Sequence, residues 1–374
     1  MKCQILLVGG GTAGHVEPAL AVGKWLRNQN NKEFRIDCEF LGTRSGLESE
    51  LVANAGFRLC SIVKAPLPRK LSLMAVAWPF RFVFSILQSL AVVKRFDLII
   101  GFGGYVSAPA YIAGWILRKP IIIHEANAKP GWANNLGSRF AKINAVAFES
   151  ARSAGGKWQG AVVVGMPMRA EIREVAELAQ SEVLRLKTKV CLELNLDQQS
   201  PIIFAFGGSL GSVAINSAIS GSINDFAKLK SNLIHVLGKA NIMPPATNGY
   251  APLSYVANMA ELYAVCDLVI ARSGAVTCAE LIAAEKFAVL IPLPIGNGEQ
   301  VANAEALVQS GQAEICDNAN FTSVWLNSNI SRLLSKAKTF SANKEALRHS
   351  SAREPIAEQR LGEIALSLLV GPKK

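Results

Sequence analysis

Two series of short, nearly uninterrupted apolar runs, most of them closed by glycine or small polar residues, limit what this chain can fold into. The first series occupies residues 4–8, 34–41, 97–101, 120–124 and 143–147; the second occupies 201–206, 232–237, 267–271 and 287–291. Runs of this length without polar alternation are expected of strands buried on both faces, as in parallel sheets. Helical patterns fall between them, including residues 15–29 and 46–55, so each series predicts a doubly wound α/β domain. At 374 residues the chain exceeds what one core usually fills. The charged stretch 169–199 has little β patterning and separates the series, which puts a boundary just after Pro167. The expected domains are therefore 1–167 and 168–351. A last helix within 352–374 carries Leu361, Ile364, Ala365 and Leu368 on one face.

Charge divides along the same line. Residues 1–160 hold 20 Lys and Arg against 9 Asp and Glu, whereas 161–374 hold 19 against 19, so the whole excess of +11 lies in the N-terminal half. Such segregation points to an anionic partner for that half: nucleic acid, an anionic membrane or a phosphorylated substrate. The seven cysteines form no Cys-x-x-Cys pair and mostly lie in apolar runs, which fits a reducing compartment. Met1-Lys-Cys-Gln leads directly into the first strand without a signal-peptide pattern, so a cytoplasmic location is expected.

The loops after the strands carry the chemistry. Gly9-Gly-Gly11-Thr12-Ala13-Gly14-His15 fits G-x-G-x-x-G, a weak signal alone. The second strand ends in Gly42-Thr43-Arg44 rather than in an acidic residue for a ribose, which argues against NAD and leaves NADP a minor option. A second loop, Gly101-Phe-Gly103-Gly104-Tyr105, follows the third strand, and the two together can cradle a pyrophosphate with backbone N–H groups. His15 opens a helix, whose positive end lowers its pKa and suits it to general-base work. His124-Glu125-Ala-Asn127 closes an Ile-rich strand. There His124 serves either a ligand or backbone groups, while Glu125 and Asn127 are candidates for contacting sugar or acceptor.

In the C-terminal half, Gly207-Gly-Ser209-Leu-Gly-Ser212 follows a strand and opens a helix. Leu268-Val-Ile-Ala271 leads into Arg272-Ser273-Gly274-Ala275-Val276-Thr277, a turn whose free N–H groups suit an anion. Glu280 follows on that helix, placed to chelate two ribose hydroxyls. The next strand ends in a Pro/Gly/Asn loop that opens a helix bearing Gln300 and Asn303. Arg169 lies at the domain boundary, within reach of a phosphate. The chain contains no Asp-x-Asp, so no metal is expected to hold a nucleotide diphosphate, and helix N-termini with arginines would neutralise it.

Taken together, GGGTAGHVEPAL, GFGGYVSAP, HEAN, GMPMR, GGSLGS, RSGAVTCAE and EQVANA resemble the MurG-type N-acetylglucosaminyltransferases, and the likeness runs from Gly9 to about Ala313. The resemblance implies a GT-B fold, two Rossmann-like domains facing a cleft, with the last helix returning to the N-terminal domain. It implies an inverting transfer of N-acetylglucosamine from UDP-N-acetylglucosamine to the C4 hydroxyl of undecaprenyl-pyrophosphoryl-N-acetylmuramyl-pentapeptide, with no cofactor. His15 and Glu125 would be catalytic. Arg169, Ser209 and the 272–277 turn would hold the donor diphosphate, Tyr255 and Val256 would face the uracil, Glu280 would take the ribose, and Gln300 and Asn303, with Asn127 from the other domain, would hold the sugar. Gly11, Thr12, Ala13, Gly14, His15, Gly103, Gly104 and Tyr105 would hold the acceptor pyrophosphate. Nucleic acid is not an implied partner; other cell-wall synthesis proteins are candidates. Met166, Leu210, Ala126 and Glu299 stand where the family often has amide side chains, so amide roles are not carried to the first three and that of Glu299 is open. The alternatives are another GT-B enzyme on the same donor, such as a soluble-acceptor transferase or 2-epimerase, and a non-catalytic membrane-docked nucleotide-sugar binder.

Residues 71–93 are long and apolar enough to span a bilayer, but Pro79 and Arg81 interrupt them, and Arg81, Ser85, Gln88 and Ser89 share one helical face. An interfacial amphipathic helix or an ordinary core helix is expected. Lys64, Arg69, Lys70, Lys94 and Arg95 flank it and suit anionic headgroups, which would make the protein peripheral on the cytoplasmic face of the membrane.

Overall fold

The computed structural model describes residues 2–30, 35–68, 73–347 and 356–370. The chain divides into two compact units, Met1–Met168 with Glu354–Lys374, and Arg169–Arg353. The first unit contains β1 (Lys2–Gly9), α1 (Ala13–Asn28), β2 (Arg35–Gly42), α2 (Leu47–Asn54), β3 (Arg58–Ser61), α3 (Leu73–Val93) and β4 (Leu98–Gly103). It continues through α4 (Ser107–Ile116), β5 (Ile121–Glu125), α5 (Trp132–Gly137), β6 (Ile143–Val146) and β7 (Val162–Val163). Its seven strands form one parallel sheet in the order β3-β2-β1-β4-β5-β6-β7. Because successive side chains point to opposite faces, β1 feeds two cores. Ile5 and Leu7 pack with Val16, Leu20, Phe40 and Ile100 on one side, whereas Leu6 and Val8 pack with Ile99, Tyr111 and Ile123 on the other.

The second unit holds α6 (Ala170–Glu174), α7 (Gln180–Glu193), β8 (Ile202–Phe206), α8 (Val213–Ser220), α9 (Ile223–Lys228), β9 (Asn232–Val236), β10 (Tyr250–Leu253) and α10 (Met259–Val265). There follow β11 (Leu268–Ala271), α11 (Ala275–Ala283), β12 (Ala288–Leu290), α12 (Glu299–Gln309), β13 (Ala313–Ile315) and α13 (Ser323–Leu347). The parallel sheet runs β10-β9-β8-β11-β12-β13. Chain order reverses beside β1 and β4 in the first sheet and beside β8 and β11 in the second, and such switch points are where open α/β sheets bind ligands.

All nine apolar runs form strands. Four further strands, β3, β7, β10 and β13, had no apolar run to announce them. All four are sheet edges; β3, β7 and β13 have little burial, β7 is two residues long, and β10 contains Pro252. An edge strand needs neither two apolar faces nor a full row of N–H donors, so the signal that finds central strands is missing there.

The helix within 71–93 reverses the usual arrangement. Ser85 and Ser89 are fully buried, and the Gln88 amide oxygen accepts from Val63 N at 2.7 Å. Val76, Phe80, Val83, Phe84 and Leu87 face outward, each more than half exposed. Only 17% of the Val76–Val93 window is buried, although that window is long and apolar enough to cross a membrane by length and composition. A core helix would bury this face, so that alternative does not hold. Of the basic flank, Arg69 and Lys70 lie outside the described residues, as do residues 71 and 72 of the segment.

The final helix α14 (Ala357–Val370) docks on α1, with Leu361 and Ala365 completely buried and Ile364 and Leu368 packed against the same cluster. Of 352–374, residues 352–355 and 371–374 lie outside the described residues. Contact is made at Gly362, where a Cβ would come within 2.3 Å of the Trp25 ring. Gly362→Val is therefore expected to overpack this seam and cost about 1–3 kcal/mol. Chemical denaturation checks it: the transition of the first unit should move and that of the second should not.

Candidate functional site

At the first switch point the two glycine loops touch through their backbones. Gly104 has φ +86°, and a Cβ there would lie 2.1 Å from the Gly10 carbonyl oxygen, so only glycine permits the approach. His15 stands in the first turn of α1, half-buried, with Nδ1 3.1 Å from the Thr12 hydroxyl. The ring edge lies against Gly103 beside the Asn134 amide. Burial lowers its pKa, while the nearby Glu125 carboxylate, the Gly10 carbonyl and Glu48 act in the opposite direction. No side chain caps α1, which leaves its first-turn amides, those of Ala13 and Gly14 among them, to solvent or a ligand.

Glu125, at the end of β5, is buried and hydrogen-bonded on both oxygens. Oε1 accepts from Asn127 N at 2.8 Å and Asn127 Nδ2 at 3.0 Å; Oε2 accepts from Gly131 N at 3.0 Å and Asn134 Nδ2 at 2.9 Å. The carboxylate thus braces its own loop and acts on His15 through its charge. His124 serves the backbone: its Nε2 donates to Gly165 O at 2.9 Å, and burial pushes its pKa down to about 4. Tyr105 lies with its ring against Gly11, and its hydroxyl is 3.1 Å from that of Thr43.

One residue at this edge gave no warning in the sequence. Glu48 is fully buried, two residues into α2. Its Oε1 accepts from Thr43 N at 2.9 Å, Thr43 Oγ1 at 2.8 Å and the Tyr105 hydroxyl at 3.4 Å, and its Oε2 accepts from Gly11 N at 3.2 Å. An acid in a first helical turn normally reads as a solvated dipole partner, and nothing in Leu-Glu-Ser-Glu-Leu distinguishes Glu48 from Glu50.

At the second switch point Gly207–Ser212 folds over the end of β8. Gly211 has φ +79°, with a would-be Cβ 1.9 Å from Leu237 O, and Ser209 is half-buried beside it. Beyond β11, Gly274 caps α11 without a side-chain bond, so the first-turn amides of Ala275, Val276 and Thr277 are uncapped. The Ser273 hydroxyl is buried there without a hydrogen-bond partner among the described residues, a state that a bound polar group would relieve. Arg272 directs Nη1 to the carbonyls of Ile291 at 3.0 Å and Pro292 at 3.3 Å, tying the ends of β11 and β12 together, and burial lowers its pKa.

Glu280, on the same helix, is buried; its Oε2 accepts from the Tyr263 hydroxyl at 3.1 Å, and its Oε1 lies 3.9 Å from an Arg169 nitrogen. Arg169 also donates to Ala257 O at 3.1 Å, so the boundary arginine sits beside the 255–257 loop. Tyr255 is exposed, with Lys239 4.7 Å above its ring. Tyr263 escaped the sequence reading because it stands inside an apolar helix, edge-on to Phe204 and Phe206. Gln300 accepts from Leu293 N at 3.0 Å, and Asn303 donates to Ser273 O at 3.3 Å, so both brace the loops around the α11 opening. Glu299 turns back to accept from Asn297 N at 3.1 Å and so braces its own loop.

Residues 5–146 match the glycosyltransferase family 28 N-terminal domain, and residues 202–359 match the family 28 C-terminal domain. The UDP-N-acetylglucosamine–N-acetylmuramyl-(pentapeptide) pyrophosphoryl-undecaprenol N-acetylglucosamine transferase of Corynebacterium efficiens is 39% identical over 93% of this chain and 91% of its own length. The protein of that name from Thermobifida fusca is 36% identical over 99% of this chain and 95% of its own. Among solved structures, Acinetobacter baumannii MurG covers 98% of this chain with 99% of its own at 27% identity and a TM-score of 0.69. A Staphylococcus aureus MnaA–UDP complex, at 13% identity, 100% and 98% coverage and a TM-score of 0.65, shares the fold alone.

Proposed function

The chain belongs to the MurG-type N-acetylglucosaminyltransferases of glycosyltransferase family 28, and we propose that it moves N-acetylglucosamine from UDP-N-acetylglucosamine to the C4 hydroxyl of the lipid-linked N-acetylmuramyl-pentapeptide, the step from lipid I to lipid II of peptidoglycan synthesis. The observation that carries the donor half is the opening of α11, where uncapped amides and the unpartnered Ser273 hydroxyl stand beside Arg169 and Glu280. An anionic diphosphate satisfies the amides and the dipole, Arg169 and Ser209 add to them, and Glu280 takes the ribose hydroxyls while Tyr263 keeps its other oxygen. Tyr255 and Val256 face the uracil, and the sugar lies toward Gln300 and Asn303. Developing charge on the departing UDP is then met by fixed dipoles.

In the N-terminal unit, His15 takes the proton of the attacking hydroxyl as the anomeric carbon inverts. Burial holds the ring neutral near pH 7, and Glu125 stabilises the imidazolium once it forms. Gly11, Thr12, Ala13, Gly14, Gly103, Gly104 and Tyr105 form the cradle for the acceptor pyrophosphate, chiefly through the free amides of α1. The outward apolar face of α3, with Trp115 57% and Trp132 46% exposed in the same unit, lies on the membrane surface, placing the protein peripherally on the cytoplasmic leaflet. A UDP-release assay with the lipid-linked acceptor, a soluble acceptor or none tests the whole assignment; release without dependence on the lipid-linked acceptor would sink it.

Glu280→Gln keeps the shape but weakens charge-assisted bonds to the ribose, a loss of roughly 1.5–3 kcal/mol. KM for the donor should rise about 10- to 150-fold, and an unchanged KM would remove Glu280 from the ribose. His15→Ala should cut kcat about 10²–10⁴-fold while UDP binding to the isolated enzyme stays intact. The wild-type rate should fall on the acid side as the ring protonates. Because its pKa is lowered, that limb is expected below the ordinary histidine value.

Replacing Phe80, Phe84 and Leu87 with Ser should abolish most binding to vesicles containing anionic lipid, yet spare turnover of a soluble acceptor analogue. Wild-type binding should weaken as salt rises, with the basic residues around the helix contributing about 1 kcal/mol each. Co-sedimentation with anionic and neutral vesicles decides it: equal, salt-independent binding to both would refute the electrostatic part.

A further inference from the structure

Glu48 is the buried charge that the reaction as described leaves unused. Its carboxylate joins three loops at the carboxyl edge of the first sheet: that after β1 through Gly11 N, that after β2 through Thr43, and that after β4 through Tyr105. Its hydrogen-bond partners, Gly11 N, Thr43 N and the Thr43 and Tyr105 hydroxyls, are all neutral donors, and a buried polar network of this kind weakens if one donor is withdrawn. The surrounding backbone is shaped to it: a Cβ on Gly46 would fall 2.2 Å from both Glu48 oxygens, one on Gly42 would fall 2.5 Å from its Cγ, and one on Gly10 would fall 3.1 Å from Oε1. Three glycines on two loops therefore make room for one side chain.

We propose that Glu48 is a positioning residue for the transfer reaction, locking the two glycine loops together so that His15 stands where the acceptor hydroxyl arrives. The assignment rests on the reading of His15 as general base. The chain of contacts is short: Glu48 holds Gly11 and Tyr105, the Tyr105 ring lies on Gly11, and Gly103, one residue before Gly104, is the wall of the His15 ring. The groups whose charge faces that ring are Glu125, from β5, and Glu48, from α2. One consequence concerns the acceptor. Gly11 N–H already donates to a carboxylate, so the pyrophosphate is met by the remaining first-turn amides of α1 and by the Gly103–Gly104 side of the cradle.

Glu48→Gln tests this, because an amide cannot accept from both Thr43 and Gly11 without turning its own NH2 toward one of the donors. The variant should fold and bind UDP as the wild type does, while kcat falls about 10²-fold, the scale of a 1 Å misplacement in a catalytic array. The acid limb of its kcat/KM profile should move to lower pH, since a negative charge facing the His15 imidazolium is gone. A merely structural residue would change the melting temperature without moving that limb. Thr43→Val, which removes one donor and leaves the charge in place, serves if Glu48→Gln does not fold; its kcat should fall several-fold at unchanged UDP affinity. Turnover within twofold of wild type with an unshifted profile in Glu48→Gln, or an unchanged kcat in a folded Thr43→Val, overturns the proposal while His15→Ala stays strongly impaired. Full turnover by His15→Ala would instead overturn the general-base reading and the role of Glu48 with it.

Discussion

Everything functional in this molecule hangs on one constraint of parallel sheets. All strands end at the same edge, where their loops must either diverge or touch. Here they touch, and glycine makes that possible. At Gly104 a methyl group would strike the Gly10 carbonyl, and at Gly211 it would strike the Leu237 carbonyl. Close approach places backbone N–H groups in a compact array without side chains in the way, and the helices that follow add their uncapped ends. Both units solve the same problem in the same way, one beside β1 and β4 and the other beside β8 and β11.

How legible this was depends on burial. Strands with two buried faces are written as apolar runs, and β1, β4, β5, β8 and β11 could be read directly. Edge strands such as Arg58–Ser61 or Ala313–Ile315 carry a single half-buried face, so their composition is that of a loop. The helix α3 exposes a different limit. Its composition announced an amphipathic segment, but composition cannot say which face turns inward. With Ser85 and Ser89 buried and Phe80 and Phe84 exposed, the usual inside-out assignment is reversed.

The site shows the same division. Residues set on the backbone geometry of a strand–turn–helix unit, such as His15, Ser273 and Glu280, stand at the strand–helix openings where their spacing put them. Residues that act on others through the fold have no such spacing to mark them. Tyr263 reaches Glu280 across 17 residues, and Glu48 reaches Gly11 across 37. Each belongs to an ordinary-looking helix or loop, and only the tertiary structure supplies its partner. Side chains expected to meet ligand directly also turn out to hold loops in place: Gln300, Asn303, Arg272 and Glu125 all spend hydrogen bonds on neighbouring backbone. Pre-organisation of this kind lowers the reorganisation needed when substrate binds.

The electrostatics around His15 suit the general-base role proposed for it. A base has to be neutral before the hydroxyl arrives and cationic just after. Burial supplies the first condition by penalising the charged ring, and Glu125 with Glu48 supplies the second. A pyrophosphate seated in the same cradle adds negative charge and pulls the ring further toward protonation, which would spoil the base before reaction. The cationic excess of residues 1–160 would act against that pull, more so at low salt. On the proposed reading, the positive charge that would bring the unit to an anionic surface would also help to keep His15 unprotonated while an anionic acceptor is bound.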